Sequence, residues 1–367
     1  MDDGESAMSK AAGDAKLRVG IVGCGTIART HVPYVRKAGG EIVGVADASP
    51  VCANELADRF AIQRVYSSIT DLIDVEKPDV VHVLTPPHTH ASVAIEALER
   101  GVHTLVEKPM TLNSGEARAM KAAAARGRAL LCVDHNRLFD PVVLQARGLV
   151  ERGDLGDLVA VESYQAGSAS ERPWLETMPG GGLGDLLPHP LYLLLYFLGQ
   201  VDDIQAMVLC APGQDQPEEL RALLRGGSCS GSLTISSRAH PGVNTLRLCG
   251  TRMTVEIDLN NMTLVKRRDF AVPKPLAKSL PSLDAAAALA WQTAKNAIDF
   301  VRGKVRYYPG MGELIRRFYA VVKAGGGQPP VTPEEGIAVV EVSERIWRAA
   351  EPSVAQVRSG TGRTMVQ

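Results

Sequence analysis

The chain has 367 residues, 45% of them apolar and 22% charged, which suits two ordinary soluble cores and excludes disorder for most of its length. A formal net charge of -1 gives no global pull toward nucleic acid or an anionic membrane, so neither is expected as a partner and a small ligand has to be held by local groups. The longest apolar run, Leu191 to Leu198, is far shorter than the roughly 20 residues that cross a bilayer, and most of the six cysteines, which form no CxxC pair, read as small buried residues of a reducing cytoplasm.

Residues 1–15, MDDGESAMSKAAGDA, are polar and acidic without the basic start and apolar middle of a secretory signal, and read as a loose tail. From residue 16 to 135, apolar strands alternate with helical segments, the pattern of an α/β Rossmann domain with a doubly wound parallel sheet. The strand cores are Leu17–Val22, Ile42–Ala46, Val80–Leu84, Thr104–Val106 and Leu130–Val133, with a weaker one at Arg64–Tyr66. Asn54–Phe60, Ser92–Arg100 and Gly115–Arg126 read as helices, with Gly101 and Gly127 at C-cap positions.

The first strand runs into Gly23-Cys24-Gly25-Thr26-Ile27-Ala28, and Asp47 ends the next apolar run. Two glycines in that turn let backbone amides approach a pyrophosphate at the start of a helix, whose N–H groups and dipole favour an anion. A small third residue, Ala28, lets helix and strand pack closely, and the acid about 20 residues on holds ribose hydroxyls. Gly23, Gly25, Thr26, Ile27 and Asp47 are therefore expected to bind a dinucleotide. Asp47 repels a 2′-phosphate and Ala48-Ser49-Pro50 supplies no arginine for one, so NAD is favoured over NADP.

Other candidates follow later strands. Thr85 opens Thr85-Pro86-Pro87-His88-Thr89-His90 after Val80–Leu84 and is read as a cofactor contact, as are Glu107 and Lys108 after Val106 and Asn136 after the last strand. Beside a nicotinamide the Lys108 ammonium is placed to trade protons, with an exposed charge pair before a turn as the alternative. His88 and His90 have ligand-like spacing, but no cysteine or acid completes a set and no metal is expected. Arg137 is read as an interface or anion-binding residue.

Residues 136–367 read as an α+β substrate-binding and oligomerisation domain. A helix at Pro141–Arg152 precedes a mostly antiparallel sheet with strands at Val159–Gln165, Ile204–Leu209, Glu219–Leu224, Gly231–Ser236, Thr245–Leu248, Thr254–Ile257 and Thr263–Val265. Phe270–Pro281 reads as a loop, and Asp284–Val301, Met311–Ala324 and Pro333–Ala349 as helices, the last returning toward the first domain. Within Gly180-Gly181-Gly182-Leu183-Gly184-Asp185-Leu186-Leu187-Pro188-His189-Pro190, Asp185 and His189 stand four apart, one helical turn, and the glycines let backbone approach a ligand. His189 suits a general base and Asp185 an orienting carboxylate. Trp174 and Tyr164 are candidates for stacking on a sugar, with core packing as the alternative.

GCGTIA, TPPHTHASVAIEALERGVHTLVEKP and GGGLGDLLPHP, in that order and spacing, resemble the Gfo/Idh/MocA oxidoreductases, whose members include glucose-fructose oxidoreductase and inositol dehydrogenase. The resemblance implies a Rossmann domain joined to a mostly antiparallel sheet, a nicotinamide cofactor, sugar or cyclitol substrates, and homodimers or homotetramers formed through sheet faces. It also implies catalysis by Lys108, Asp185 and His189, all touching substrate. Leu187 stands where the family has glycine and Tyr192 where it commonly has an acid, which points to a substrate less polar than inositol. The function expected is an NAD(P)-dependent dehydrogenase or reductase acting on a secondary alcohol or ketone of a sugar-like ring. The same residues would serve a glycoside-cleaving enzyme that retains its NAD, and a non-catalytic dinucleotide sensor is the third reading.

Overall fold

The computed structural model describes residues 16–167, 172–210, 216–303 and 308–358, so the tail expected at 1–15 lies outside the described residues. The described residues form two compact units, one up to residue 136 together with 311–340, the other of those within 137–310 and from 341 on.

The first unit is built on six parallel strands, β1 (Leu17–Val22), β2 (Gly40–Ala46), β3 (Val65–Tyr66), β4 (Val80–Val83), β5 (His103–Val106) and β6 (Leu131–Val133). Their order is β3-β2-β1-β4-β5-β6, so chain direction across the sheet reverses between β1 and β4, the point where doubly wound sheets bind ligands at their carboxyl ends. β1, β4, β5 and β6 are nearly continuous apolar runs because helices cover both faces. Those helices are α1 (Ala28–Lys37), α2 (Pro50–Phe60), α3 (Ile69–Glu76), α4 (His90–Glu99) and α5 (Ser114–Gly127). Ser49, Ser68 and Asn113 cap α2, α3 and α5 by accepting a backbone N–H three residues on.

In the second unit, α6 (Pro141–Glu151), α7 (Gly182–Leu186) and α8 (Pro188–Leu198) accompany seven strands. These are β7 (Leu158–Ala166), β8 (Asp203–Leu209), β9 (Glu219–Gly226), β10 (Cys229–Ser236), β11 (Val243–Gly250), β12 (Thr254–Asp258) and β13 (Thr263–Arg267), in the order β13-β12-β11-β7-β10-β9-β8. Only β7 and β10 pair in parallel. Burial alternates along β9 and β10, giving one covered and one open face. α8 lies on the covered face, where a Cβ on Gly231 would come within 2.9 Å of Leu198 and 3.1 Å of Leu194.

α9 (Lys274–Val301) follows β13, and α10 (Pro309–Lys323) and α11 (Pro333–Arg358) complete the chain. The loop expected at Phe270–Pro281 is thus mostly helix: Pro275 falls in the first turn, which needs no N–H, and the helix continues through Pro281 at the loss of one backbone bond. Gln292 on α9 explains why the helix seats there, since its amide accepts from the Leu264 N–H (2.8 Å) and donates to the Leu264 carbonyl (2.8 Å) on edge strand β13. Among the described residues no helix is long and apolar enough to cross a membrane. The six cysteines are free, but only Cys24 and Cys132 are buried and the other four are half-buried.

Candidate functional site

The glycine turn leaves β1 at the sheet's reversal point. Gly23 has φ +93°, and a Cβ there would lie 2.5 Å from the Leu84 carbonyl carbon at the end of β4, so glycine is required by both conformation and space. Gly25 differs, since a Cβ there would meet nothing within 4 Å. Gly25 and Thr26 are exposed beside the first turn of α1, and the space at Gly25 fits the close approach of an anionic dinucleotide linkage to a helix N-terminus. Ala28 is fully buried where α1 packs on the sheet.

Asp47 clasps this turn: its Oδ2 accepts the Cys24 N–H (2.7 Å) and its Oδ1 the Ser49 N–H (2.8 Å). Burial, then the charge of Asp47 and the neighbouring Cys52, push the Cys24 thiol up to about 12, so it stays protonated as a packing group. Thr85, half-buried after β4, accepts a hydrogen bond from the Thr89 hydroxyl (2.8 Å).

Lys108 leaves the carboxyl end of β5 half-buried, with its peptide bond to Pro109 in the cis form. Glu107, expected to touch cofactor, is buried: one carboxylate oxygen accepts the Lys108 N–H (2.9 Å) and the other lies 3.2 Å from His31 Nε2. Its carboxylate therefore serves the turn that carries Lys108. His90, read as a possible ligand or a simple helix start, is buried with Nδ1 2.9 Å from the Pro109 carbonyl and Nε2 2.7 Å from the Thr85 carbonyl, tying the two loops together.

Beneath this turn lies a polar cluster that sequence patterning does not reveal. His31 Nε2 is 3.2 Å from both Glu107 and Asp134, His31 Nδ1 is 3.0 Å from His82 Nδ1, and His82 Nε2 is 2.8 Å from the Tyr319 hydroxyl. Burial opposes a charge on His31, but hydrogen bonds and charge from Asp134 and Glu107 outweigh it and raise its pKa to about 9. Burial and the charge of His31 hold His82 well below its usual range. One proton arrangement satisfies the hydrogen-bonded pairs: an imidazolium at His31 donates from Nε2 to Glu107 and from Nδ1 to His82 Nδ1, with Asp134 beside it as a charge partner, and neutral His82 donates from Nε2 to Tyr319. Burial and the neighbouring Glu107 charge raise Asp134 to about 6, while for Glu107 the bond to His31 overcomes burial and lowers it. The ligand atoms of His31, Glu107 and Asp134 lie within 4.8 Å of one another, a spacing that the shared His31 proton bridges. Asn136, also expected at the cofactor, is buried just after β6.

In the second unit, α7 carries Asp185 and α8 carries His189, with Leu187 between them in helical conformation. Prolines 188 and 190 lack N–H groups, which splits the segment into two helices, yet the Leu187 and Leu191 N–H groups still bond to Leu183 and Leu187. The expected one-turn relation of Asp185 and His189 therefore holds in the backbone, and both side chains are half-buried. His189 Nδ1 lies 2.9 Å from the hydroxyl of fully buried Tyr192, which accepts the Arg137 N–H (3.2 Å).

Two glycines of the run read as letting backbone approach a ligand, Gly180 and Gly184, also have packing roles. A Cβ on Gly180 would lie 2.0 Å from the Trp347 ring, and one on Gly184 would lie 2.2 Å from the Pro179 carbonyl oxygen, so at both positions packing demands glycine. Trp174 is half-buried, with the Arg172 guanidinium 5.5 Å from its ring centroid. Tyr164 stands exposed on β7, between Thr234 and Thr245 of neighbouring strands.

Residues 17–135 match the family described as oxidoreductase family, NAD-binding Rossmann fold, and residues 143–256 match the GFO/IDH/MocA C-terminal domain. An oxidoreductase of Formosa agariphila is 25% identical over 205 residues, covering 52% of this chain and 64% of its own length. A levoglucosan dehydrogenase of Pseudarthrobacter phenanthrenivorans is 28% identical over 215 residues, covering 52% of this chain and 54% of its own. The matches thus span between about half and two thirds of these relatives. Among solved structures, the UDP-N-acetylglucosamine 3-dehydrogenase of Acidithiobacillus ferrooxidans shares the fold with a TM-score of 0.74 at 21% identity, covering 93% of this chain and 99% of that one. With both of its characteristic domains matched, the chain belongs to the Gfo/Idh/MocA family of oxidoreductases with an NAD-binding Rossmann fold.

Proposed function

We propose that this protein is an NAD-dependent oxidoreductase that interconverts a secondary alcohol and a ketone on a sugar or cyclitol ring. The observation that carries the reading is the gathering of Gly25, Asp47, Thr85 and Lys108 at the carboxyl ends of parallel strands of one sheet, around its reversal point, with open space at Gly25. Gly23 to Ile27 would hold the pyrophosphate, Asp47 the adenosine ribose and Thr85 the remaining cofactor edge. A bound nicotinamide supplies a hydride acceptor in one direction and a hydride donor in the other.

In the oxidative direction His189 and Asp185 of the second unit have the chemistry to accept a hydroxyl proton and to orient neighbouring hydroxyls, and the Lys108 ammonium of the first has the chemistry to stabilise the oxygen of a forming carbonyl. Reduction runs these roles backward, with His189 returning the proton. Relatives named levoglucosan dehydrogenase and inositol 2-dehydrogenase support the substrate class. Tyr192 in place of the commonly found acid favours a less polar ring than inositol.

The test is absorbance at the NADH band with levoglucosan, myo-inositol, methyl glucosides and UDP-N-acetylglucosamine, using NAD and NADP separately. Turnover with NAD that is abolished in His189→Ala, with NADH affinity retained, is the expected result. Binding of NADH without turnover of any member, unchanged in His189→Ala, points instead to a sensor. Cleavage of a glycoside with no added cofactor and no net NADH change points to the oxidation–elimination reading.

A further inference from the structure

His90 opens α4 and is 1% exposed, with both of its ring nitrogens facing carbonyl oxygens. Nε2 lies 2.7 Å from the Thr85 carbonyl, on the loop after β4, and Nδ1 lies 2.9 Å from the Pro109 carbonyl, on the turn after β5. A carbonyl oxygen only accepts, so each contact needs an N–H, and a neutral imidazole has one. The imidazolium alone makes both bonds at once. Burial lowers the pKa of His90, although both carbonyls and the Glu107 charge work against it. The neutral ring therefore shares a single proton between two loops.

Each loop is also braced within itself. The Thr89 hydroxyl lies 2.8 Å from both the Thr85 hydroxyl and the Pro86 carbonyl, and Glu107 accepts the Lys108 N–H (2.9 Å). Loss of the imidazole donor thus leaves those internal bonds in place and frees the distance between the loops.

We propose that His90 is a positioning residue, which fixes the separation between the loop that presents Thr85 to the cofactor and the turn that presents Lys108 to the reacting oxygen. The role rests on the contacts proposed for Thr85 and Lys108, and it acts on the geometry of hydride transfer rather than on cofactor affinity. A displacement of about 1 Å caused by a change away from the chemistry costs on the order of a hundredfold in rate. A histidine that only filled space would be replaced without such a loss by another ring.

The test begins with the full chain free of ligand. His90→Phe keeps a ring but has no N–H, so amide hydrogen exchange should quicken at least about tenfold across residues 85–90 and 107–111, while β1 and β6 keep their protection. Ring-nitrogen NMR of histidine-labelled wild type, with the His90 signals assigned by their loss in His90→Gln, should show proton density on both nitrogens. With a substrate found in the panel, kcat of His90→Phe should fall about ten- to a hundredfold with the NADH dissociation constant little changed. The isotope effect from NADH deuterated at the transferred hydrogen should rise as that step becomes limiting. His90→Gln retains a donor and should recover kcat to within about threefold of wild type. Unchanged exchange in both loops, a wild-type ring with one nitrogen fully protonated and the other bare, equal loss of kcat in the two variants, or a loss confined to NADH affinity would overturn the proposal. A wild type that binds NADH but turns over no member of the panel counts against the oxidoreductase reading instead, and the exchange and NMR results still decide whether His90 holds the two loops together.

Discussion

The Tyr192 hydroxyl lies 2.9 Å from Nδ1 of His189 while accepting the Arg137 N–H. Tyr192, read from the sequence only as the loss of an acid near the substrate, thus also contacts the imidazole of His189. At this position the chain puts a buried hydroxyl in hydrogen-bond reach of the imidazole, a contact that adds no carboxylate charge to it.

Tyr192→Phe removes that orienting contact and retains the ring. A hydrogen bond of this kind contributes about 0.5–1.5 kcal/mol, so kcat should fall about three- to tenfold while KM and the NADH dissociation constant change little. Steady-state kinetics on a substrate found in the panel, with NADH binding followed by fluorescence, check this. A loss confined to NADH affinity would show that Tyr192 does not act through His189.

The two glycines of the dinucleotide turn make opposite predictions. Gly23→Ala forces a side chain into positive φ against the Leu84 backbone, so stability should fall by about 2–4 kcal/mol, seen as a lower thermal midpoint without any ligand. Gly25→Ala meets no protein atom within 4 Å, so the midpoint should stay within the shift of about 0.5 kcal/mol typical of surface changes. Its methyl group occupies the space proposed for pyrophosphate, and the NADH dissociation constant should rise at least tenfold. Normal NADH affinity in Gly25→Ala would place the cofactor elsewhere.

The buried His31 cluster gives stability a pH dependence with a defined sign. His31 is held protonated with a folded pKa of about 9 against an ordinary 6.5, so its stabilising contribution is full below 6.5 and is lost as pH rises through about 9. Asp134, raised to about 6, runs the same way at lower pH, since a carboxyl that binds protons more tightly when folded loses stability as pH rises through its folded value. Urea unfolding of wild type at pH 7 and 9.5 should show a drop on the order of 1–3 kcal/mol, and His31→Gln should flatten that drop. A wild type equally stable at both values would mean that His31 is neutral in the fold.

Much of the architecture was legible because it is written in local periodicity. Leu131–Val133 is apolar throughout and Val80–Val83 apolar but for His82, runs that suit buried strands, and the glycine turn with Asp47 carried its own spacing. The start of α9 was not, because Pro275 and Pro281 are local signals for a break that the bonds of Gln292 and Asn296 to β13 and its preceding turn override. Nor was the His31 cluster, since His82 pairs with Tyr319 across 237 residues and a histidine inside an apolar strand declares no partner. The purpose of Gly180 was also hidden, because the ring that demands it belongs to Trp347.

Asp47 holds the glycine turn and is proposed to set the cofactor preference, two roles that a substitution can separate. Both of its carboxylate oxygens already accept backbone N–H groups, from Cys24 and Ser49, so the charge is fixed in place before any ligand arrives. A 2′-phosphate brought to that carboxylate meets like charge, whereas ribose hydroxyls can donate to its remaining lone pairs. Wild type should bind NADH at least tenfold more tightly than NADPH by fluorescence titration. Asp47→Asn retains acceptor capacity for one N–H but removes the charge, so it should weaken NADH a fewfold, strengthen NADPH, and bring the two affinities within about threefold, a shift of less than about 0.7 kcal/mol in their difference being too small to support the assignment. Equal use of both cofactors by the wild type would mean that the Asp47 carboxylate serves the glycine turn alone and that cofactor choice lies with other residues.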